Sequence, residues 1–277
     1  MKINVIELVP KGWNVENVSD NLIKINYKTI GRGNQPKQFV LPAIIDVDES
    51  FVQGIGLYLG DGKLSKDNHH LEFTSKDIDL ALFMHRFFIE RFDITDMFYR
   101  VSCRKLINDS LDRWAQELRI SKEIIKTRES KRFDCECFSF QIGGKVFFTL
   151  FKSIVERILA INFSAEPVLR RALLAGLFAA EGSININRCE NYIVYVGYHF
   201  SYTKEEALAS LVQKLLSFEG ITSRLALRKD KGERYLQITS WKNYNKCFKA
   251  GIFDICKRKR DMFLEKLQRT RAYYKAL

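Results

Sequence analysis

Gly54-Ile-Gly-Leu-Tyr-Leu-Gly-Asp-Gly62 and Leu174-Ala-Gly-Leu-Phe-Ala-Ala-Glu-Gly182 are two versions of one nonapeptide. Aligned without gaps they share Gly at the third place, Leu at the fourth and an aromatic ring at the fifth. A small residue fills the seventh place, an acid the eighth and Gly the ninth. Such a repeat means one supersecondary unit used twice. Small residues fall four apart in each copy, Gly56 and Gly60 in the first, Gly176 and Ala180 in the second, with Ala175 and Ala179 alongside. Four residues make about one helical turn, so each copy reads as a helix with a stripe free of side-chain bulk. Two such stripes let helix backbones approach more closely than Leu-lined faces do.

Outward from each copy the pattern repeats again. Gly62 is followed by a short strand, then by His70–Ser75 with period-2 alternation, then by a helix starting near Lys76-Asp77. Gly182 is followed by strands over Ser183–Ile186 and Tyr192–Tyr202 and a helix opening at Thr203. The second copy continues with strands Ile221–Lys229 and Glu233–Ser240, joined by a Lys-Asp-Lys-Gly turn. A helix near Trp241 and a basic one from about Ile255 complete it. In the first copy the later strands read as Met97–Arg104 and Cys135–Ile142. Between them lie an inserted helix over Leu111–Leu118 and a further strand over Ile124–Arg128. The expected division is an extension over 1–50, made of short strands and a Gly31-Arg-Gly-Asn-Gln-Pro36 loop, then units over 51–160 and 161–277. Each unit reads helix–strand–strand–helix–strand–strand–helix, an α+β pattern.

The 277 residues are 46% hydrophobic with 21 Phe and 11 Tyr, enough for a packed core. A net charge of +12 favours a polyanionic partner, nucleic acid ahead of an anionic membrane surface. No stretch approaches the roughly 18 apolar residues that cross a bilayer, and the first residues lack the apolar run of a signal peptide. The six Cys and four His show no ligand spacing, so the cysteines read as reduced and structural and the chain as intracellular.

The two acids are harder to explain by packing. Each falls in the last helical turn, before a Gly expected to end the helix in a left-handed conformation. A negative charge there opposes the helix dipole at a cost of roughly 0.3–1 kcal/mol. Placing that group twice calls for an offsetting cation, and hard oxygen donors suit Mg²⁺. Salt-bridged or capping acids are the plainer alternative.

At these residues the chain resembles the LAGLIDADG homing endonucleases, in their monomeric form with two motifs. The second nonapeptide matches six of the nine name-giving letters, with Glu181 in place of Asp, and the first matches four, including Asp61-Gly62. The resemblance covers roughly 51–277. It implies two pseudo-symmetric αββαββα units forming a saddle, with two four-stranded antiparallel sheets in the major groove of double-stranded DNA. It also implies two or three Mg²⁺ ions, with Mn²⁺ or Ca²⁺ as substitutes, bound by Asp61, Glu181 and the carbonyls of Gly60 and Ala180. One phosphodiester in each strand would then be hydrolysed to leave short 3′ overhangs. Lys257 takes the place of a lysine that assists catalysis, and Lys76 and Lys204 that of the Lys in a Gln-Lys pair, here preceded by Ser75 and Thr203. An intron-encoded protein of this kind works in a prokaryotic cytoplasm or an organelle holding the host DNA.

Strand alternation assigns a polar face independently. Arg224 and Arg228, Tyr235 and Gln237, and Tyr195 and His199 oppose Leu225, Leu227, Leu236, Ile238, Val194, Val196, Tyr198 and Phe200. The first unit offers Arg100, Ser102 and Arg104, then Ser139 and Gln141. These residue types read base edges, although any solvated sheet face is polar. Lys229, Lys231 and Lys259 are the added phosphate candidates, the last from the cluster Cys256-Lys-Arg-Lys-Arg260. Two other roles suit the same pattern: an RNA maturase acting on its host intron RNA, and a non-catalytic DNA-binding regulator. Keeping both acids favours cleavage.

Overall fold

Period-2 apolar patterning begins at the N-terminus and produces five short strands before the first helix. In the computed structural model, which describes residues 1–27, 38–105, 108–131, 134–201, 205–228 and 232–276, these are β1 (Lys2–Asn4), β2 (Asn14–Asn17), β3 (Leu22–Asn26), β4 (Phe39–Pro42) and β5 (Ile44–Asp46). The expected Gly31–Pro36 loop, Thr203, and the site candidates Lys204, Lys229 and Lys231 lie outside the described residues. Strand β1 pairs with β5, and β2, β3 and β4 form a separate antiparallel sheet. The chain divides into two compact units, one of residues 1–54 and 61–161, the other of 55–60 and 162–277.

The first unit continues through α1 (Glu49–Asp61), β6 (Gly62–Leu64), β7 (His70–Ser75), α2 (Ile78–Phe92), β8 (Phe98–Cys103), α3 (Asn108–Leu118), β9 (Ile125–Glu129), β10 (Cys137–Gly143) and α4 (Lys145–Leu159). Helix α2 buries Leu80, Ala81, Met84, Phe87 and Phe88 along one face and stops where Asp93 turns left-handed at φ 56°. Its core is phenylalanine-rich: Phe88 packs against Phe140, Phe147 and Phe151 at centroid distances of 5.4–6.0 Å. The N-terminal strands belong to this core too, since Phe39 stacks on Phe147 at 5.9 Å. A side chain at Gly144, whose φ is +128°, would put its Cβ 2.2 Å from the Phe39 ring. Only glycine suits that position.

The main sheet of this unit runs β6-β7-β10-β8-β9 among the described residues. Its first four strands are antiparallel, as expected, and β9 adds a fifth that runs parallel to β8. Parallel neighbours need a crossover of a dozen or more residues, and α3 supplies it. Trp114 of α3 stacks on Phe138 at 5.0 Å, which fixes the crossover to the core side of the sheet.

The second unit runs α5 (Pro167–Glu181), β11 (Gly182–Ile186), β12 (Ile193–Ser201), α6 (Glu206–Phe218), β13 (Arg224–Arg228), β14 (Glu233–Ile238), α7 (Trp241–Lys249) and α8 (Lys257–Ala276). Helix α5 opens with Pro at its first turn, where no backbone donor is lost. The sheet order β11-β12-β14-β13 repeats β6-β7-β10-β8, and the register agrees: Gly62 faces Phe73 as Gly182 faces Tyr198. One sheet plan is therefore used twice.

Three local expectations are corrected. Neither Gly62 nor Gly182 is left-handed; Gly182 is extended at φ −74°, ψ 146°, because the helix feeds directly into a strand. Glycine is needed at 182 for space, since a Cβ there would lie 2.3 Å from the Phe178 carbonyl oxygen. Val194 is exposed instead of buried, because the register shifts between Asn185 and Ile186 and brings Ile193 into the core. Leu225 and Leu227 align with Leu236 and Arg234 on the core side but stay 39% and 48% exposed, since β13 is the sheet edge among the described residues.

Two tests follow from this packing. A Cβ at Gly56 would sit 2.7 Å from the Leu173 carbonyl oxygen, so Gly56→Ala should lower the unfolding free energy by about 1–3 kcal/mol in urea titrations. Burial, with a smaller effect of Arg86, lowers the His85 pKa, and its Nε2 lies 3.0 Å from the Tyr99 hydroxyl. The unfolded chain then takes up this proton first as pH falls through about 6.5, so stability declines below that pH. Replacing the imidazole in His85→Gln should flatten that part of the pH–stability curve.

Candidate functional site

Each motif acid is the last residue of its helix, and each following glycine is the first residue of a strand. Asp61 closes α1 and Glu181 closes α5, both half-buried. The small-residue stripe does what its spacing implied. Besides the Leu173 contact, a Cβ at Gly56 would meet the Leu177 nitrogen at 3.1 Å and the Gly176 Cα at 3.2 Å. A Cβ at Gly60 would fall 2.4 Å from the Ala180 Cβ and 2.9 Å from the Glu181 Cγ. The segment 55–60 is thus seated on α5 backbone to backbone, within the second unit.

The end of α5 holds a cation from the chain itself. Lys259 of α8 is only 7% exposed, and its Nζ donates to the carbonyls of Phe178, Ala179 and Ala180 at 2.9, 2.7 and 3.0 Å. The ammonium also lies 5.6 Å from the Phe178 ring centroid. A positive charge at a helix C-terminus satisfies last-turn carbonyls and complements the dipole. Two expectations change as a result. Lys259 is not a surface phosphate contact, and the Ala180 carbonyl assigned to a metal already accepts a hydrogen bond. Lys257, two positions earlier, points to solvent and pairs with Asp261 at 2.5 Å. The i, i+2 spacing on a helix separates the two lysines in this way.

Around Asp61 the arrangement differs. The Cys137 thiol is pushed up to about 12, first by burial and then by Cys135, with Asp61 raising it further and Lys76 lowering it. Among the described residues no three His, Cys, Asp or Glu side chains cluster as a metal-binding group.

The polar faces follow the alternation in most places. In the second sheet, cross-strand pairing aligns Arg224 and Gly197 with Gln237, and His199 with Tyr235. His199 stacks on Tyr235 at 5.6 Å, Tyr195 lies 6.3 Å from the same ring, and the His199 Nε2 is 2.7 Å from the Ser183 Oγ. Arg228 aligns with Glu233 by backbone register. In the first sheet, Arg100 and Gln141 are half-buried on the polar face, and the Arg100 guanidinium lies over the Phe98 ring at 5.1 Å. Ser102 and Ser139 share that face yet are only 6% exposed, because the larger residues beside them cover their short side chains. Arg104 lies beyond the end of β8, exposed and 3.9 Å from Asp134. Sequence reading passed over Lys126 and Arg128 as site residues; alternation within Ile125–Glu129 was the available signal, but their face became defined only with the parallel register.

Two family models match the chain, a LAGLIDADG-like domain over residues 169–250 and a WhiA LAGLIDADG-like domain over 49–105. The chain has a two-motif LAGLIDADG fold. Similar solved structures include the homing endonuclease I-DmoI in mesophilic variants, 16% identical over 74% of this chain and 96% of that one, with a TM-score of 0.45. I-WcaI bound to its DNA recognition sequence is 15% identical over 80% and 88%, with a TM-score of 0.47. Full-length DUF199/WhiA from Thermatoga maritima is 14% identical over 82% and 66%, with a TM-score of 0.45. Among curated protein sequences none matches the chain.

The two lysines of the basic cluster should separate in stability measurements. Lys259→Met leaves three last-turn carbonyls without their buried charged donor, so denaturant titration should show a loss of about 3 kcal/mol. Lys257→Met acts at an exposed position, where the pair with Asp261 is well solvated, and should cost no more than about 0.5 kcal/mol.

Proposed function

We propose that the chain binds double-stranded DNA with the polar faces of its two main sheets and, as a monomer, hydrolyses one phosphodiester per strand at Asp61 and Glu181, leaving short 3′ overhangs. One observation carries this reading. Twice in the chain, an acid closes a helix and the next residue opens a sheet with Arg, Lys, Gln, Tyr or His on its outward face. A structural acid needs no such neighbour, whereas cleavage needs the reacting group beside the duplex-reading surface.

The donor set suits a divalent cation. Mg²⁺ takes one or two carboxylates and fills its remaining positions with water and phosphate oxygens, so it does not need a closed protein cage. Asp61 with the Gly60 carbonyl, and Glu181, are hard oxygen donors of that kind, while the Ala180 carbonyl fits less well because Lys259 bonds to it. Such an ion, when bound, supplies Lewis acidity at the phosphate and a nucleophile at neutral pH. The chain's own contribution is positioning and charge. The sheets hold the duplex, and Lys257 and Lys76 offer exposed ammonium groups to the negative charge that builds on the phosphate.

A second reading, a DNA-binding protein that does not cut, is favoured by Lys259. Its ammonium already complements the α5 terminus, so Glu181 does not by itself require a metal there.

The test is incubation of the purified chain with Mg²⁺ and a plasmid pool carrying randomised inserts, with capture of the broken ends. Double-strand breaks should appear with the parent and vanish with Asp61→Asn or Glu181→Gln. Both variants should keep duplex affinity within about tenfold, and parent affinity should drop about 10³-fold from 50 to 200 mM salt, because phosphate contacts dominate binding. Selective binding by a parent that never cuts would decide for the second reading.

A further inference from the structure

We infer that strand β9 extends the DNA-reading face of the first unit, with Lys126 and Arg128 contacting the duplex beyond Arg100, so that this unit covers a longer half of the target than the second unit does. This rests on the proposed role of the sheet faces in binding DNA.

Strand order and register carry the inference. In both units the order of four strands is the same, and in the second the fourth strand, β13, is the edge among the described residues. In the first unit β8 takes that place, but β9 lies outside it. Parallel pairing aligns Lys126 with Arg100 and Arg128 with Ser102, so both new cations stand on the polar face. The buried partner confirms the phase: Ile125 aligns with Tyr99, and both point into the core at 5% and 4% exposure. The one acid of the strand, Glu129, aligns with buried Cys103 on the other face. Positive charge is thus sorted to the side that carries Arg100, and negative charge away from it.

An edge strand with charged residues can also serve only to block edge-to-edge pairing. That purpose does not require charge of one sign on one face. Nor does it require the anchoring that β9 receives through the α3 crossover and the Trp114–Phe138 stack. A fifth strand adds about 4.8 Å to the width of the sheet, the rise of one to two base pairs of duplex. Long cationic side chains on that strand reach either base edges or the flanking phosphates.

The experiment starts with selection of a preferred duplex from a randomised DNA pool by the full-length parent. Hydroxyl-radical footprints on that duplex are then compared for the parent and for the Lys126→Ala/Arg128→Ala double variant. Both residues are exposed, so equal thermal midpoints are expected and serve as the folding control. The double variant should lose protection over one or two positions at one end of the site only, with affinity reduced about 10- to 100-fold. An identical footprint at unchanged affinity would overturn the role of β9 and leave it as an edge guard. Loss of protection at both ends equally would overturn the asymmetric assignment. A parent that enriches no duplex would overturn the DNA-binding reading itself, and this inference with it.

Discussion

Residues 55–60 meet α5 with no side-chain bulk between the two backbones. Gly56 lies against the Leu173 carbonyl and Gly60 against Ala180, with no room for a single added carbon at either point. Side chains of ordinary size hold packed helices 8–10 Å apart, and this contact exists only because both surfaces lack them. The rest of each motif is built around it. The chain passes from Asp61 or Glu181 directly into a strand that opens on Gly62 or Gly182.

The end of α5 carries a cation from its own unit. At the end of α5, Lys259 is threaded under the last turn and bonds three successive carbonyls, tying α8 to the motif helix. Such a buried ammonium is stable only because its hydrogen bonds and the helix dipole replace lost hydration. In the first unit Asp61 and Lys76 act in opposite senses on the buried Cys137 thiol, and Lys76 is exposed. An exposed lysine can change direction; a lysine committed to three carbonyls cannot. The end of the second motif helix is thus braced by a lysine of its own unit.

The sheets diverge as well. Crossover helix α3 carries β9 onto the first sheet in parallel, an addition that the second sheet lacks among the described residues. Trp114 of α3 stacks on Phe138, on the core side of the sheet.

Much of this was legible in the residues. Helical spacing of small residues located both motif helices, and period-2 patterning located the strands that follow, with His70–Ser75 found end to end. These signals are local: a face is either apolar or it is not, and the period says which element carries it. Tertiary structure decided what depends on neighbours. The sequence placed Leu225, Leu227 and Val194 in the core, but a leucine on an edge strand or a valine at a register shift has nothing to cover it. The glycines after the acids were assigned to a left-handed turn, yet Gly182 is there because Phe178 leaves no space for a Cβ. Lys257 and Lys259 look alike in a run of basic residues; only the approach of α8 to the end of α5 makes one a solvent-facing cation and the other a buried cap. Period and composition set which elements form, while distance between elements far apart in sequence sets what each side chain meets, and no local pattern encodes that distance.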